Sequence, residues 1–165
     1  MGKNRFFDLE GHIPVYNVRG LFICKLYKEM IQMYAERAYE LTQQEDVCKD
    51  LRSNNIPLEN NLKTIGELVG ELGEWLERQM LTIVDMKALE EAFLRIIFTA
   101  NLIDMQLTNI EEMSDELQWD SDRLADFEER IELLATAVDL YLDNLNRAIV
   151  RSNKAYRKRM YGIED

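Results

Sequence analysis

Carboxylates are the side chains of this sequence that are best placed to do chemistry. Glu67, Glu71 and Glu74 are spaced four and three residues apart, so they share one face of a predicted helix. The next predicted helix carries three more acidic residues: Asp85, Glu90 and Glu91. Several carboxylates that converge within a few ångströms bind Mg²⁺, so the spacing admits a magnesium site between the two helices. A solvated acidic face is the alternative, because these glutamates lie on the side of the helix away from its apolar residues.

Three glycines, Gly66, Gly70 and Gly73, lie inside the same predicted helix. Each costs about 1 kcal/mol relative to alanine in a helix interior. Three glycines so close together indicate that another group approaches the helix backbone between Gly66 and Gly73. Close packing of another helix is one interpretation, and approach of a ligand is the other.

The sequence lacks the motifs of several other kinds of chemistry. The single histidine, His12, has no Ser or Cys nucleophile motif near it, and there is no Cys-x-x-Cys, dinucleotide-binding glycine motif or P-loop. A di-iron helical bundle needs a Glu-x-x-His pair from each of two helices, which one histidine cannot supply. These observations exclude catalytic triads, zinc sites and Rossmann cofactors, and they leave carboxylate chemistry.

The composition favours a single acidic domain. The chain has 165 residues, of which 47% are hydrophobic and 31% charged, which is enough apolar material for one core. The net charge of -11 opposes direct binding to nucleic acid, whose phosphates need clustered Lys and Arg. No signal peptide or membrane-spanning run is recognised, so we expect a cytoplasmic protein without a membrane partner. Cys24 and Cys48 are then reduced, and we interpret both as small core residues.

The elements that position the carboxylates are predicted to be helices, because neither Gly nor Pro occurs between Glu74 and Tyr161. Residues 1–18 mix aromatic, Gly and Pro residues without a helical period and are predicted to form an irregular N-terminal arm. Residues 19–161 carry the helices of a single domain that spans residues 1–165. Helix A is predicted from about Val18 to Leu51, with a buried line that consists of Ile23, Tyr27, Met30, Tyr34, Leu41, Cys48 and Leu51.

Three more helices follow from apolar residues spaced three and four apart. Helix B begins at Pro57, which suits a first helical turn, and buries Leu62, Ile65, Val69 and Leu72. Helix C buries Phe93, Ile96, Ile103, Leu107 and Ile110. A break near Thr82 to Asp85, with Asp85 as the cap, is favoured over one continuous helix that rotates its apolar face.

Helix D is predicted to start near Ser121 and to bury Phe127, Ile131, Leu134, Val138 and Tyr141. Aspartates crowd its start, and Arg and Lys crowd its end between Arg147 and Arg159, which is the polarity that the helix dipole favours. The helical spacing continues through this basic segment, so we expect it to be helical as well.

Four amphipathic helices bury their apolar lines most simply as an antiparallel bundle, so the predicted fold class is all-α. Additional apolar residues lie beside these lines, among them Leu26, Ile31, Leu68, Ile97 and Leu140. This apolar surface exceeds the need of one small bundle, and we therefore expect a homodimer.

Three segments resemble a known superfamily in their order along the chain: IGELVGELGEWLE (Ile65 to Glu77), ALEEAFLRIIFTANLID (Ala88 to Asp104) and RSNKAYRKRM (Arg151 to Met160). They resemble the all-α nucleoside triphosphate pyrophosphohydrolases, the MazG-like and dimeric dUTPase superfamily. The resemblance implies a Mg²⁺-dependent helical bundle, usually a homo-oligomer, that cleaves a nucleoside triphosphate between its α and β phosphates.

The resemblance also implies roles for individual residues. Glu71, Glu74 and Glu91 would hold the Mg²⁺ ion, and Glu67 or Glu90 would orient the attacking water. Asn101, Asn153 and Arg159 would contact the nucleotide or its phosphates. The metal-binding motif is incomplete, because Gly70 stands where the family has the first glutamate of the pair. In the second motif, either Leu94 or Ala88 stands in place of a carboxylate. Such a site is either rearranged or inactive.

A non-enzymatic interaction protein is the competing hypothesis. Between Asp104 and Asp143 acidic residues far outnumber the two basic ones, Arg123 and Arg130. This segment could form a polyanionic surface that binds a basic protein partner, as an inhibitor or adaptor from a phage or mobile element would. A merely solubilising acidic face is the other interpretation of the same segment.

Overall fold

The computed structural model describes the backbone of residues 13–14, 18–76, 80–81 and 83–161, and the side chains of residues 23–74, 88 and 90–147. Within this part of the chain there are six helices: α1 (Val18–Thr42), α2 (Glu45–Ser53), α3 (Leu58–Leu76), α4 (Ile83–Glu112), α5 (Ser114–Leu117) and α6 (Ser121–Tyr161). Two short strands, β1 (Ile13–Pro14) and β2 (Met80–Leu81), pair antiparallel. The predicted all-α class is confirmed. Most of the arm over residues 1–18 lies outside the described residues.

The prediction of one helix from Val18 to Leu51 is wrong, because α1 ends at Thr42 and α2 begins at Glu45. The Thr42 hydroxyl donates a 2.6 Å hydrogen bond to the carbonyl of Tyr39, and such bonds compete with the regular helical pattern. Acidic residues in the first turn of α2, Glu45 and Asp46, suit a helix N-terminus. The turn therefore forms without Gly or Pro.

The break between helices B and C is confirmed, since α3 ends at Leu76 and α4 begins at Ile83. The paired residues Met80 and Leu81 lie between the two helices, where the pairing with β1 draws the backbone away from helical geometry. Asp85 was expected to precede the new helix as its cap. It lies instead inside the first turn of α4.

Helix α6 begins at Ser121, as predicted. Asp120 caps it, because its Oδ1 accepts a 2.7 Å hydrogen bond from the backbone N–H of Arg123. The helix continues to Tyr161, so the prediction that the basic segment from Arg147 to Arg159 is helical is confirmed.

The turn that leads into α6 is tied to α2. The indole N–H of Trp119 donates a 2.9 Å hydrogen bond to Asp50, and the Trp119 ring stacks on Phe127 with centroids 5.2 Å apart. Arg123 forms an ion pair of 2.8 Å with Asp46, and this guanidinium lowers the pKa of the Asp46 carboxyl. Trp119 is buried, so these contacts anchor the start of α6.

The core lies between four helices: α1 packs against α3 and α6, and α4 packs against the same two. The predicted buried lines of α3 and α6 are confirmed, and in α4 Ile96, Ile103, Leu107 and Ile110 are buried as predicted, while Phe93 is half-buried. Among the described residues, no helix is long and apolar enough to cross a membrane.

The predicted buried line of helix A is confirmed only in part, because Leu41 and Leu51 are buried as predicted and the remaining residues of the line are half-buried. Tyr27, Met30 and Tyr34 are only half-buried, and the innermost residues are Cys24, Ile31, Ala35 and Ala38. Two alanines on the inner side allow close packing, and the larger side chains flank the contact. Ile31 and Leu68, expected as surplus apolar residues, are both buried. Burial raises the pKa of the Cys24 thiol to about 11, which agrees with its interpretation as a core residue, whereas Cys48 is half-buried.

Candidate functional site

The three glutamates of α3 lie on its exposed side. The buried residues Leu62, Ile65, Val69 and Leu72 occupy one side of the helix, and Glu67, Glu71 and Glu74 are all exposed. Glu90 and Glu91 are exposed on α4 as well. All five carboxylates therefore contact solvent, in the arrangement expected for a solvated acidic face.

The described side chains contain no group of three or more His, Cys, Asp or Glu residues that could hold a metal ion. Glu71, Glu74 and Glu91 are thus not brought together in such a group, and neither are Glu67 and Glu90 with them. The side chain of Asp85 lies outside the described residues. The Mg²⁺ site remains a prediction that the geometry does not support.

Two side chains of α1 approach the glycines of α3. A Cβ atom built on Gly73 would lie 2.6 Å from Cδ of Lys28, and one built on Gly70 would lie 3.3 Å from Nε2 of Gln32. The same Gln32 amide donates a hydrogen bond of 3.5 Å to the carbonyl of Gly66. Packing of a neighbouring helix therefore accounts for the close approach at Gly70 and Gly73. A Cβ on Gly66 would meet nothing within 4 Å.

The residues predicted to contact a nucleotide are described only in part. Asn101 is exposed on α4, and the side chains of Asn153 and Arg159 lie outside the described residues. Their role in contacting the nucleotide or its phosphates stays a prediction.

Acidic residues of α4 and α6 lie within electrostatic range of one another. Glu111 is influenced by the charges of Glu128 and Glu132 of α6 and of Asp104 and Glu112 of its own helix. We call these five residues the acidic cluster. Desolvation raises the pKa of Glu111, and the neighbouring negative charges, with Glu128 foremost, raise it further. The sequence indicated an acid-rich segment, and the packing of two helices turns part of it into a shared surface.

Large apolar side chains are exposed on the outer side of α4. Leu94, Phe98 and Met105 are 61%, 64% and 59% exposed, respectively. Their spacing of four and seven residues places them on one line along the helix, which we call the α4 stripe. The spacing of this line is visible in the sequence, but its exposure was not predicted. The buried residues on the opposite side of α4 are apolar and have the same helical spacing, so the two lines are hard to tell apart in the sequence.

A second exposed apolar surface lies along α1 and α6. Leu26 and Met33 of α1 and Leu133 and Leu140 of α6 are each between 40% and 47% exposed. We call these four residues the α1/α6 patch. Charges of both signs lie next to it, including Arg37, Glu40, Asp126, Glu129 and Arg130 around a groove that Leu133 also lines.

Comparisons of the chain with protein-family models, with curated protein sequences and with solved structures find no match.

Proposed function

We propose that this chain is a non-enzymatic interaction protein that binds a basic protein partner through the surface shared by α4 and α6. The acidic cluster is the single observation that carries this proposal. It places carboxylates from two helices within electrostatic range of one another on a surface that is open to solvent.

The charges of the acidic cluster oppose one another in the free protein. Partial desolvation and the surrounding carboxylates raise the pKa of Glu111, so its ionised form is less favourable here than in a fully solvated glutamate. The ion pairs formed among the described side chains lie elsewhere, at Arg52 with Glu59, Arg123 with Asp46 and Arg147 with Asp143. A partner that supplies Lys or Arg side chains would remove this repulsion and gain attraction, which favours fast and selective association.

The arrangement of the helices in this proposal is an antiparallel four-helix bundle of α1, α3, α4 and α6. Support comes from the contacts between α1 and α3, where Gly70 lies beside Gln32 and Gly73 lies beside Lys28. Residue numbers rise along one helix as they fall along the other, which is expected of opposed directions. Such a bundle holds α4 and α6 rigidly side by side, so the acidic cluster is organised before a partner arrives.

Synthetic peptides of equal length test the function: one rich in lysine, one rich in glutamate and one neutral. Fluorescence anisotropy would measure their binding to the full chain at low and at high salt. We expect only the basic peptide to bind, and to bind more weakly as salt rises, because counterions screen exposed charges. No binding of the basic peptide at low salt would contradict the proposed function.

A matched pair of variants locates the binding surface. Replacing Glu111, Glu128 and Glu132 by Gln changes the net charge by the same amount as replacing Glu67, Glu71 and Glu74 by Gln on α3. We expect the first variant to weaken binding of the basic peptide more than the second. Equal losses would show that only the total charge matters, which contradicts a surface shared by α4 and α6.

A further inference from the structure

The α4 stripe is an apolar surface on a helix that already has a complete buried side. Ile96, Ile103, Leu107 and Ile110 bury the inner side of α4 against the core. Leu94, Phe98 and Met105 are therefore not needed for packing within the part of the chain that the structure describes, and each leaves about three fifths of its surface to water. Together they expose an area on the order of 300 Å², the size at which apolar patches on monomeric proteins are often functional.

The ends of the α4 stripe are acidic. Glu90 and Glu91 precede it on the helix, and Glu111 and Glu112, which belong to the acidic cluster, follow it. A second copy of this chain docked along the stripe would bring glutamates close to glutamates whether the two helices ran parallel or antiparallel. Like charges placed opposite one another across an interface oppose association.

We propose that the α4 stripe docks the apolar side of a basic amphipathic helix of the partner protein. This inference rests on the proposed function and names the site and the class of partner. The spacing of Leu94, Phe98 and Met105 fits anchors at helical spacing on an opposing helix, a common mode of peptide recognition. Lysine or arginine residues beside those anchors pair with the acidic ends of the stripe. Asn101, exposed on the same side of α4, supplies a polar group that sets the register of the two helices.

Three synthetic peptides test this inference on the full chain. The first is a basic amphipathic helix with leucine at helical spacing, the second has the same composition in scrambled order, and the third replaces the leucines by serine. Fluorescence anisotropy measures their affinities. We expect the amphipathic peptide to bind at least about tenfold more tightly than the other two, because only it presents an apolar side together with charge.

Substitutions at exposed residues test the inference without disturbing the fold. Replacing Leu94, Phe98 and Met105 by Ser should remove the preference for the amphipathic peptide, whereas replacing Leu26, Met33 and Leu133 of the α1/α6 patch by Ser should leave it. Both sets are exposed, so their effects on stability should be small, and thermal unfolding would confirm this for each variant.

The failures of the two proposals are distinguishable. If all three basic peptides bind equally and the Gln variant of the acidic cluster weakens all of them, the proposed function stands and the docking role of the stripe is wrong. If no basic peptide binds, the proposed function is wrong and the docking inference falls with it. If the wild type self-associates and the Ser variant of the stripe does not, a second copy occupies the stripe, which also overturns the inference.

Discussion

Alanine substitutions at the three glycines of α3 should separate helix propensity from helix packing. Alanine is favoured over glycine by about 1 kcal/mol in a helix interior. At Gly66 a new Cβ would meet nothing within 4 Å, so Gly66→Ala should gain this whole amount in the free energy of unfolding. For a chain of this length the gain corresponds to a rise of about 2–4 °C in Tm.

The same change at Gly73 meets the side chain of Lys28. The new Cβ would lie 2.6 Å from Cδ, closer than atoms in contact can approach, so Lys28 or the helix itself must shift. Lys28 is long, flexible and only half-buried, so it can move away at a modest cost, and Gly73→Ala should keep only part of the gain in propensity. Gly70→Ala should fall between the two, because it presses at 3.3 Å only on the flexible amide end of Gln32.

Urea unfolding followed by circular dichroism at 222 nm would measure the three variants. We expect the order of stability Gly66→Ala, then Gly70→Ala, then Gly73→Ala. Adding Lys28→Ala should restore the rest of the gain, so that Gly73→Ala stabilises the Lys28→Ala protein more than it stabilises the wild type. Equal stabilisation at Gly66 and Gly73, or no coupling with Lys28, would refute the assignment of the close approach to α1.

Four further outcomes are expected. Trp119→Ala should lower the free energy of unfolding by about 3–5 kcal/mol, and Trp119→Phe by about 1–2 kcal/mol, as measured by urea unfolding. The second loss is smaller because phenylalanine keeps a buried ring and loses the hydrogen bond to Asp50. Equal losses would contradict this. Glu111→Gln should raise stability at neutral pH. The folded-state pKa of Glu111 is raised, so its ionised form destabilises the fold at higher pH, and this penalty disappears as the pH falls below the ordinary value of 4.5. A gain in stability from Glu111→Gln that persists at pH 3 would count against this reasoning. Light scattering should show a homodimer that Ser substitutions in the α1/α6 patch weaken, because mixed charges beside that patch permit self-association; a strict monomer at micromolar concentration would disprove it. Incubation with nucleoside triphosphates and Mg²⁺ should release little or no pyrophosphate, and robust turnover abolished by Glu71→Gln and by Glu74→Gln would instead support the resemblance to the pyrophosphohydrolases.

The helices could be predicted from the sequence because helical spacing and helix caps depend on residues that are near one another in the chain. Apolar residues at spacings of three and four mark the buried sides of α3, α4 and α6, and most of these residues are buried in the structure, with Phe93 half-buried. The start of α6 was also predictable, since Asp120 is a capping residue that acts on the adjacent turn. The turn after Thr42 escaped prediction, because a hydroxyl that bonds to a carbonyl three residues earlier can occur inside a helix as well as at its end.

The buried side of α1 depends on two neighbours, and its sequence alone did not identify it. Apolar residues occur around much of this helix, so more than one line fits the helical period. Packing against α3 and α6 selects Ile31, Ala35 and Ala38, whose inner position allows the helices to approach closely. Tyr27 and Tyr34 then remain at the edges of the contact.

Some features of the candidate site likewise depend on the sequence alone, and others depend on the tertiary structure. The acidity of the segment that contains Glu111 and Glu128, and the spacing of Leu94, Phe98 and Met105, were determined by the sequence alone. Tertiary packing decided that Glu111 and Glu128 share a surface and that the α4 stripe faces water, because both depend on which sides of α4 and α6 meet. The same packing left the α3 glutamates exposed and placed Lys28 beside Gly73. Electrostatic and packing energies act over a few ångströms in space, and only the folded chain determines which distant residues come within that range.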